Sequence, residues 1–169
     1  ILDFSWNRIS DIESLVFEQP LKLYLICNRI KSIQITTSNR DNMLNELNSY
    51  ENRMSKIDFD RFANLTRLDL SNNKICTIFG FKNLKNLDIL WLQDNFLSEI
   101  ENNSFEGLNN LKELNLNGNE IKEIHLSVFS HLPKLEILDL GRNEIKHIII
   151  DDEHINIFSN LQVLFLNHN

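Results

Sequence analysis

One asparagine recurs along this chain inside a common frame, apolar-x-apolar-x-x-Asn-x-apolar-x-x-apolar. It falls at Asn7, Asn28, Asn52, Asn73, Asn95, Asn119, Asn143 and Asn169, with steps of 21, 24, 21, 22, 24, 24 and 26 residues. A period in the twenties demands a solenoid, because a unit that short cannot bury its own apolar side and must share a core with its neighbours. A solenoid presents one long repetitive face and encloses no catalytic cavity by default. The frame therefore points to binding before chemistry.

The clearest copies run from Leu111 to Ile124 and from Leu135 to Ile148. Leu114 and Leu116 are two apart, so in extended backbone both face one side, while Glu113, Asn115 and Asn117 face the other. Each copy should hold one short strand, then turn at the Asn and return through residues such as Ile121 and Ile124. Their spacing of three fits a loose or 3₁₀-like return rather than a second strand. Phe129 follows ten residues after its Asn, and Phe17, Phe62 and Phe105 keep the same offset. A ring there would fill the wide back of a coil. The bend after each strand leaves backbone groups that no ladder can pair. A carboxamide has two donors and an acceptor, so the Asn can bridge its own coil and the next one. Orphaning such groups costs about 1–3 kcal/mol. The eight asparagines should stack as an internal polar ladder.

These residues resemble the leucine-rich repeat family over essentially the whole chain. The 24-residue copies with the late Phe resemble its typical subclass, met in extracellular proteins and receptor ectodomains. The resemblance implies an α/β solenoid, a horseshoe with a curved parallel β-sheet on the concave face and irregular or 3₁₀ returns on the convex face. Two places depart from the pattern. Residues 34–46 are polar and lack the Phe, and the copy around Asn52 has Ser49 for the second strand Leu and Met54 for Ile. Leu44, Leu47, Ile57 and Phe62 still fall in frame, which favours a degenerate repeat near 34–57 over an irregular stretch between Asn28 and Asn73. The copy from Asn73, at 22 residues, resembles a shorter class common in cytosolic proteins. The expected organisation is one array of about eight repeats over residues 1–169. Both ends fall inside a repeat without a capping unit, so a fragment of a longer chain is expected.

Net charge of −7 and a pI near 5.2 argue against nucleic acid or an acidic membrane as partner. No apolar run is long enough to span a bilayer. Cys27 and Cys76 sit at different frame positions two coils apart, beyond disulfide reach, and are expected as free thiols. Two glycosylation sequons, at Asn64 and Asn102, fall on returns, away from the strand face. No cofactor or metal is expected. The five histidines lack metal-site spacing, Asp151-Asp152-Glu153-His154 reads as a solvated return, and Asp58 and Asp60 lie on open surface.

Four residues before each Asn, the chain places Asp3, Tyr24, Asn48, Asp69, Trp91, Asn115, Asp139 and Phe165. Two before it come Ser5, Ile26, Tyr50, Ser71, Gln93, Asn117, Gly141 and Asn167. Alternation sends both columns to solvent, so Tyr24, Tyr50, Trp91 and Phe165 should project from the sheet, with Trp6 and Phe96 at its rim. Open aromatics of this kind are interface residues. Arg67, Asp69 and Asp94 complete the candidate ligand-binding set. The last four coils set Arg142 against Asp94, Glu113, Glu120, Asp139 and Glu144, a charge that would steer a basic partner. The sequence thus reads as a non-enzymatic protein-binding module, a segment of an adhesion or innate-immune receptor ectodomain. Alternatives are an intracellular scaffold or regulatory subunit, or the sensing arm of a receptor enzyme whose catalytic domain lies outside this segment. Dimerisation is left open.

Overall fold

The computed structural model describes residues 1–13, 21–34, 43–55, 62–150 and 158–169. In chain order its strands are β1 (Leu2–Asp3), β2 (Ile12–Glu13), β3 (Leu21–Tyr24), β4 (Ile33–Gln34), β5 (Leu44–Asn48) and β6 (Arg67–Asp69). They continue as β7 (Ile89–Trp91), β8 (Glu113–Asn115), β9 (Glu123–His125), β10 (Ile137–Asp139), β11 (His147–Ile149) and β12 (Val163–Phe165). One strand per asparagine frame joins a parallel sheet in the order β1-β3-β5-β6-β7-β8-β10-β12. Sequential coils are therefore sequential neighbours, as in a solenoid.

The register stacks like on like: Leu68 pairs with Leu90, Leu90 with Leu114 and Leu114 with Leu138. Leu23, Leu47, Leu68, Leu90, Leu114 and Leu138 are all buried, so alternation aims this column into the shared core. Each such side chain contributes roughly 1.5–3 kcal/mol of burial. Behind them lie Phe62, Phe105 and Phe129, also buried. The Phe105 and Phe129 rings stack at 5.9 Å, and Phe129 meets Phe158 at 5.7 Å. Phe158, fifteen residues past Asn143 rather than ten, thus supplies the ring of the 26-residue copy. In the 22-residue copy the buried ring is Phe81, inside a short 3₁₀ helix (Phe81–Asn83) that follows Gly80 at φ 83°. Phe17 and Ile57 lie outside the described residues, as do Asp58, Asp60 and Asp151–His154.

The third repeat forms a coil. β5 pairs in parallel with β3 on one side and β6 on the other. Leu21 faces Leu44 but Lys22 faces Glu46, so Asn45 is one residue extra, a bulge. Ser49 and Met54 are both buried, and the Ser49 hydroxyl donates to Met54 Sδ at 3.1 Å. The two departures from the frame compensate each other: the small residue makes room and the long one fills it.

One expectation fails. The spacing of Ile121 and Ile124 fits a loose or 3₁₀-like return rather than a second strand, yet β9 pairs with β11, and β2 with β4, both in parallel. Ile124 stands opposite Ile148 there, and Ile12 opposite Ile33. Residues five past the Asn in neighbouring coils lie at ladder spacing, so wherever both backbones are extended they pair. Elsewhere the return tightens, as in the 3₁₀ helix Leu126–His131.

Candidate protein-binding face

Three devices hold the sheet edge that presents the face. The first is the asparagine column. Asn119 donates from Nδ2 to the carbonyls of Leu116, at 2.9 Å, and of Leu92, at 3.1 Å, and accepts at Oδ1 from Leu97 N–H at 3.0 Å. Asn28, Asn52, Asn73, Asn95, Asn143 and Asn169 make the equivalent set. Leu92 and Leu97 belong to the preceding coil, so the bridge runs backwards and not to the next coil as the sequence suggested. The reason is the direction of the bend, which turns each carboxamide under the strand before it. Asn7, in the first coil, bonds only to its own Phe4 and Ser5 carbonyls.

The second device was not foreseen. Trp6, Cys27, Glu51, Asn72, Asp94, Gly118, Arg142 and His168, each just before its Asn, all have φ between 51° and 66°. The left-handed residue makes the last sheet bond, as Glu51 N–H does to the Ser71 carbonyl at 3.0 Å. It then reverses the chain so that the next side chain points inward. Residues other than Gly, Asn and Asp carry strain in this region, roughly 1–2 kcal/mol each.

The third is an Asx turn four residues before the Asn. Oδ1 of Asp3, Asn48, Asp69, Asn115 and Asp139 accepts the N–H two residues on, at 2.8–3.0 Å. Asp69 also accepts the Ser71 hydroxyl at 2.5 Å. Hydrogen bonds from Ser5, side chain first and backbone second, hold the Asp3 carboxyl below the usual carboxylate range. Asp69, placed in the ligand set from its sequence position, is thus committed to its own turn.

The aromatics divide. Tyr50, Phe96 and Phe165 are exposed, and Trp6 is almost bare at the rim. Tyr24 and Trp91 are half-buried instead of projecting freely. The Tyr24 hydroxyl donates to Glu46 Oε1 at 3.2 Å, and Trp91 Nε1 donates to Glu113 Oε1 at 2.7 Å. The Arg67 guanidinium lies over the Trp91 ring, 5.6 Å from its centre. The column two before the Asn is corrected as well: Ser71 and Gly141 are buried. Coil spacing sets larger members of the column directly beside them. A Cβ on Gly141 would meet Asn117 Nδ2 at 2.8 Å and Asn167 Oδ1 at 3.1 Å.

Charge is paired in part. Lys22 Nζ meets Glu46 Oε2 at 2.8 Å. Burial pushes the Glu46 carboxyl up, but Lys22, the Tyr24 hydroxyl and Arg67 outweigh it and leave it below its ordinary value, while Glu46 raises Lys22. Asp94 lies 3.7 Å from Arg142. Between the strands, Glu46, Asn48, Arg67, Asp69, Ile89 and Trp91 line a hollow of about 70 Å³. Gln93 Oε1, in the Trp91 coil, is a buried acceptor with no partner among the described residues. Cys27 and Cys76 are both free thiols; burial first, then Glu51 at 3.3 Å, raises the Cys27 thiol. Asn102 is exposed on its return and Asn64 half-buried, while the Ser104 hydroxyl of the second sequon is buried and accepts Glu101 N–H at 3.0 Å. No group of His, Cys, Asp and Glu suited to a metal occurs among the described residues, nor does any helix among them suffice to cross a membrane.

Stacked coils, an inward asparagine column and one parallel sheet define a repeat solenoid with an open face. The "Leucine rich repeat" family model matches residues 79–121 and 109–169, more than half of the chain, and a second model of that description matches 64–85. The chain belongs to the leucine-rich repeat family. Two solved structures are similar to it. The TLR13–ssRNA13 complex matches over 85% of this chain at 29% identity with a TM-score of 0.62. A leucine-rich repeat protein of Leptospira interrogans matches over 98% at 23% identity with a TM-score of 0.63, a likeness of fold. The chain spans 26% and 48% of those proteins. No curated protein matches it in sequence.

Proposed function

We propose that residues 1–169 are a single repeat array whose concave sheet takes a protein ligand, as part of an extracellular or cell-surface receptor-type or adhesion protein. One observation carries the reading: aromatic side chains stand on an open sheet face in a fixed column, two of them, Tyr24 and Trp91, held by hydrogen bonds. Anchored rings lose little freedom when a partner covers them, which is what interface hot spots require. Arg67, Asp94, Phe96, Tyr50 and Phe165 surround them on the same side. The likeness to TLR13 supports a receptor type, and the exposed sequon at Asn102 supports the extracellular setting. The two free thiols favour the intracellular scaffold as second reading.

Selection of a displayed peptide library on the wild-type chain tests the face. Enriched peptides should bind the Tyr50→Ala/Trp91→Ala variant at least about tenfold more weakly, the loss of a hot-spot contact. Equal binding to both chains would remove the concave face as the ligand surface. TLR13 is seen with RNA, so single-stranded RNA serves as control; its binding to the same face would overturn a protein ligand. The absence of a glycan on both Asn64 and Asn102 after secreted expression would count against the extracellular reading.

A further inference from the structure

Along the column four residues before the Asn, the chain reads Asp3, Tyr24, Asn48, then Asp69, Trp91, Asn115, then Asp139, Phe165. A three-coil pattern of Asp, aromatic, Asn is superposed on the single-coil repeat. Tyr24 and Trp91 are 67 residues apart, and so are Glu46 and Glu113. In both places the aromatic of one coil donates to Oε1 of the Glu that stands six residues before the next coil's Asn. The first place is filled by the protein itself: Lys22, opposite Glu46 in the register, sets its amine 2.8 Å from Oε2, the oxygen that Tyr24 leaves open. At the second place the residue opposite Glu113 is Ile89. Glu113 has no ion pair among the described residues.

We propose that Trp91 and Glu113 form a receptor for a basic side chain, lysine above all, of an extended partner peptide lying on the concave face. The proposal rests on the protein-binding reading above and names what that face selects. Glu113 is already oriented by the indole, and its second oxygen is left for a cation as Glu46 Oε2 is for Lys22. Arg67, stacked on Trp91, holds the ring. The neighbourhood suits a cation: Asp94, Glu120, Asp139 and Glu144 outnumber Arg67, on the Trp91 ring, and Arg142, which pairs with Asp94, so long-range attraction brings a basic peptide to this half of the sheet. A charge-assisted bond to a fixed carboxylate is stronger than a neutral one.

The probe is a fluorescein-labelled nonapeptide of alternating serine and lysine, its affinity read by anisotropy at about 0.15 M salt, where exposed charges are well screened. A norleucine version should not bind. Glu113→Gln still accepts the indole N–H but lacks the charge, and should weaken binding about tenfold, the worth of one charged hydrogen bond. Ile89→Lys supplies the amine in cis and should weaken it as much. Val163→Lys adds the same charge in the same column, three coils from Ile89, and should change it less than about twofold, as a screened charge does. Lys22→Ile vacates Glu46 and should strengthen binding. Equal loss from Ile89→Lys and Val163→Lys, or no loss from Glu113→Gln, overturns the receptor. If Ile89→Lys does not fold, Glu113→Gln alone decides. Should the library peptides still depend on Tyr50 and Trp91 in that event, the face survives and only the cation slot falls. If they do not, both readings fall.

Discussion

Among single residues, the one before each ladder Asn is under the tightest conformational demand, and of its eight occupants Gly118 suits it best, with Asn72 and Asp94 next. Trp6, Cys27, Glu51, Asp94, Arg142 and His168 take a positive φ because the sheet bond on one side and the inward Asn on the other fix the path between them. The strain is tolerated because both flanking bonds would be lost without it. Gly118 has a second constraint: an added Cβ would stand 2.4 Å from Asp94 Oδ1. Substitution should therefore act with opposite sign at equivalent positions. Gly118→Ala should destabilise by about 1–2 kcal/mol, the ordinary cost of a left-handed Cβ. Glu51→Gly should be neutral or stabilising by up to about 1 kcal/mol, since relief of strain exceeds the added entropy of the unfolded chain. Urea midpoints of the two variants check this; a clear loss from Glu51→Gly would show that the Glu51 side chain holds the turn. A single sequence does not reveal this rule, because eight different residue types at one position leave no compositional trace.

Individual coils show what the repeat can absorb. Alternation made the strand column through Leu114 and Leu138 legible, since only one phase buries leucines, and the spacing of Phe62, Phe105 and Phe129 made the back of the core legible too. The return strands β9 and β11 were not, because Ile121 and Ile124 at a spacing of three suit a tightened turn as well as a short extended piece. What decided for extension was the neighbouring coil, whose Ile148 lies opposite Ile124 and offers a ladder partner. The candidate face was legible as a set of columns. Which members stay open was not, because Trp91 and Tyr24 meet a Glu in the next coil and Ser71 is covered across its own column. The Ser49–Met54 pair shows compensation inside one coil. Ser49→Leu restores the frame residue but meets a Met54 that already fills the space, so it should cost about 1–3 kcal/mol of overpacking. Adding Met54→Ile should recover most of that loss, giving a coupling of about 1 kcal/mol or more in a double-mutant cycle. Additive effects would mean that the two departures are independent.

For the molecule as a whole, stability is distributed in one dimension. Each coil touches the coil before and the coil after, through the leucine column, the Phe stack and the backward Asn bridge, so no single centre holds the fold. The two end strands differ from the middle in a way the structure makes quantitative. Leu2 in β1 is 39% exposed and Leu164 in β12 is 43% exposed, whereas Leu90 in β7 and Leu114 in β8 are fully buried. Asn7 and Asn169 are exposed while Asn95 and Asn119 are buried. In a chain of these 169 residues alone, an opening at the first or last coil breaks one interface, and an opening in the middle breaks two. Amide exchange in this 169-residue chain should therefore be graded along the sheet. The bonds from Leu92 N–H to Asn115 and from Leu70 N–H to Trp91 should exchange slowest, and that from Phe4 N–H to Tyr24 at least about a hundredfold faster, a difference of about 3 kcal/mol in opening free energy. Leu114→Ala should cost about 2–5 kcal/mol as a core cavity and raise exchange in both directions from β8. Uniform exchange across the sheet would mean that the coils open as one cooperative unit, and the nearest-neighbour account of this solenoid would then be wrong.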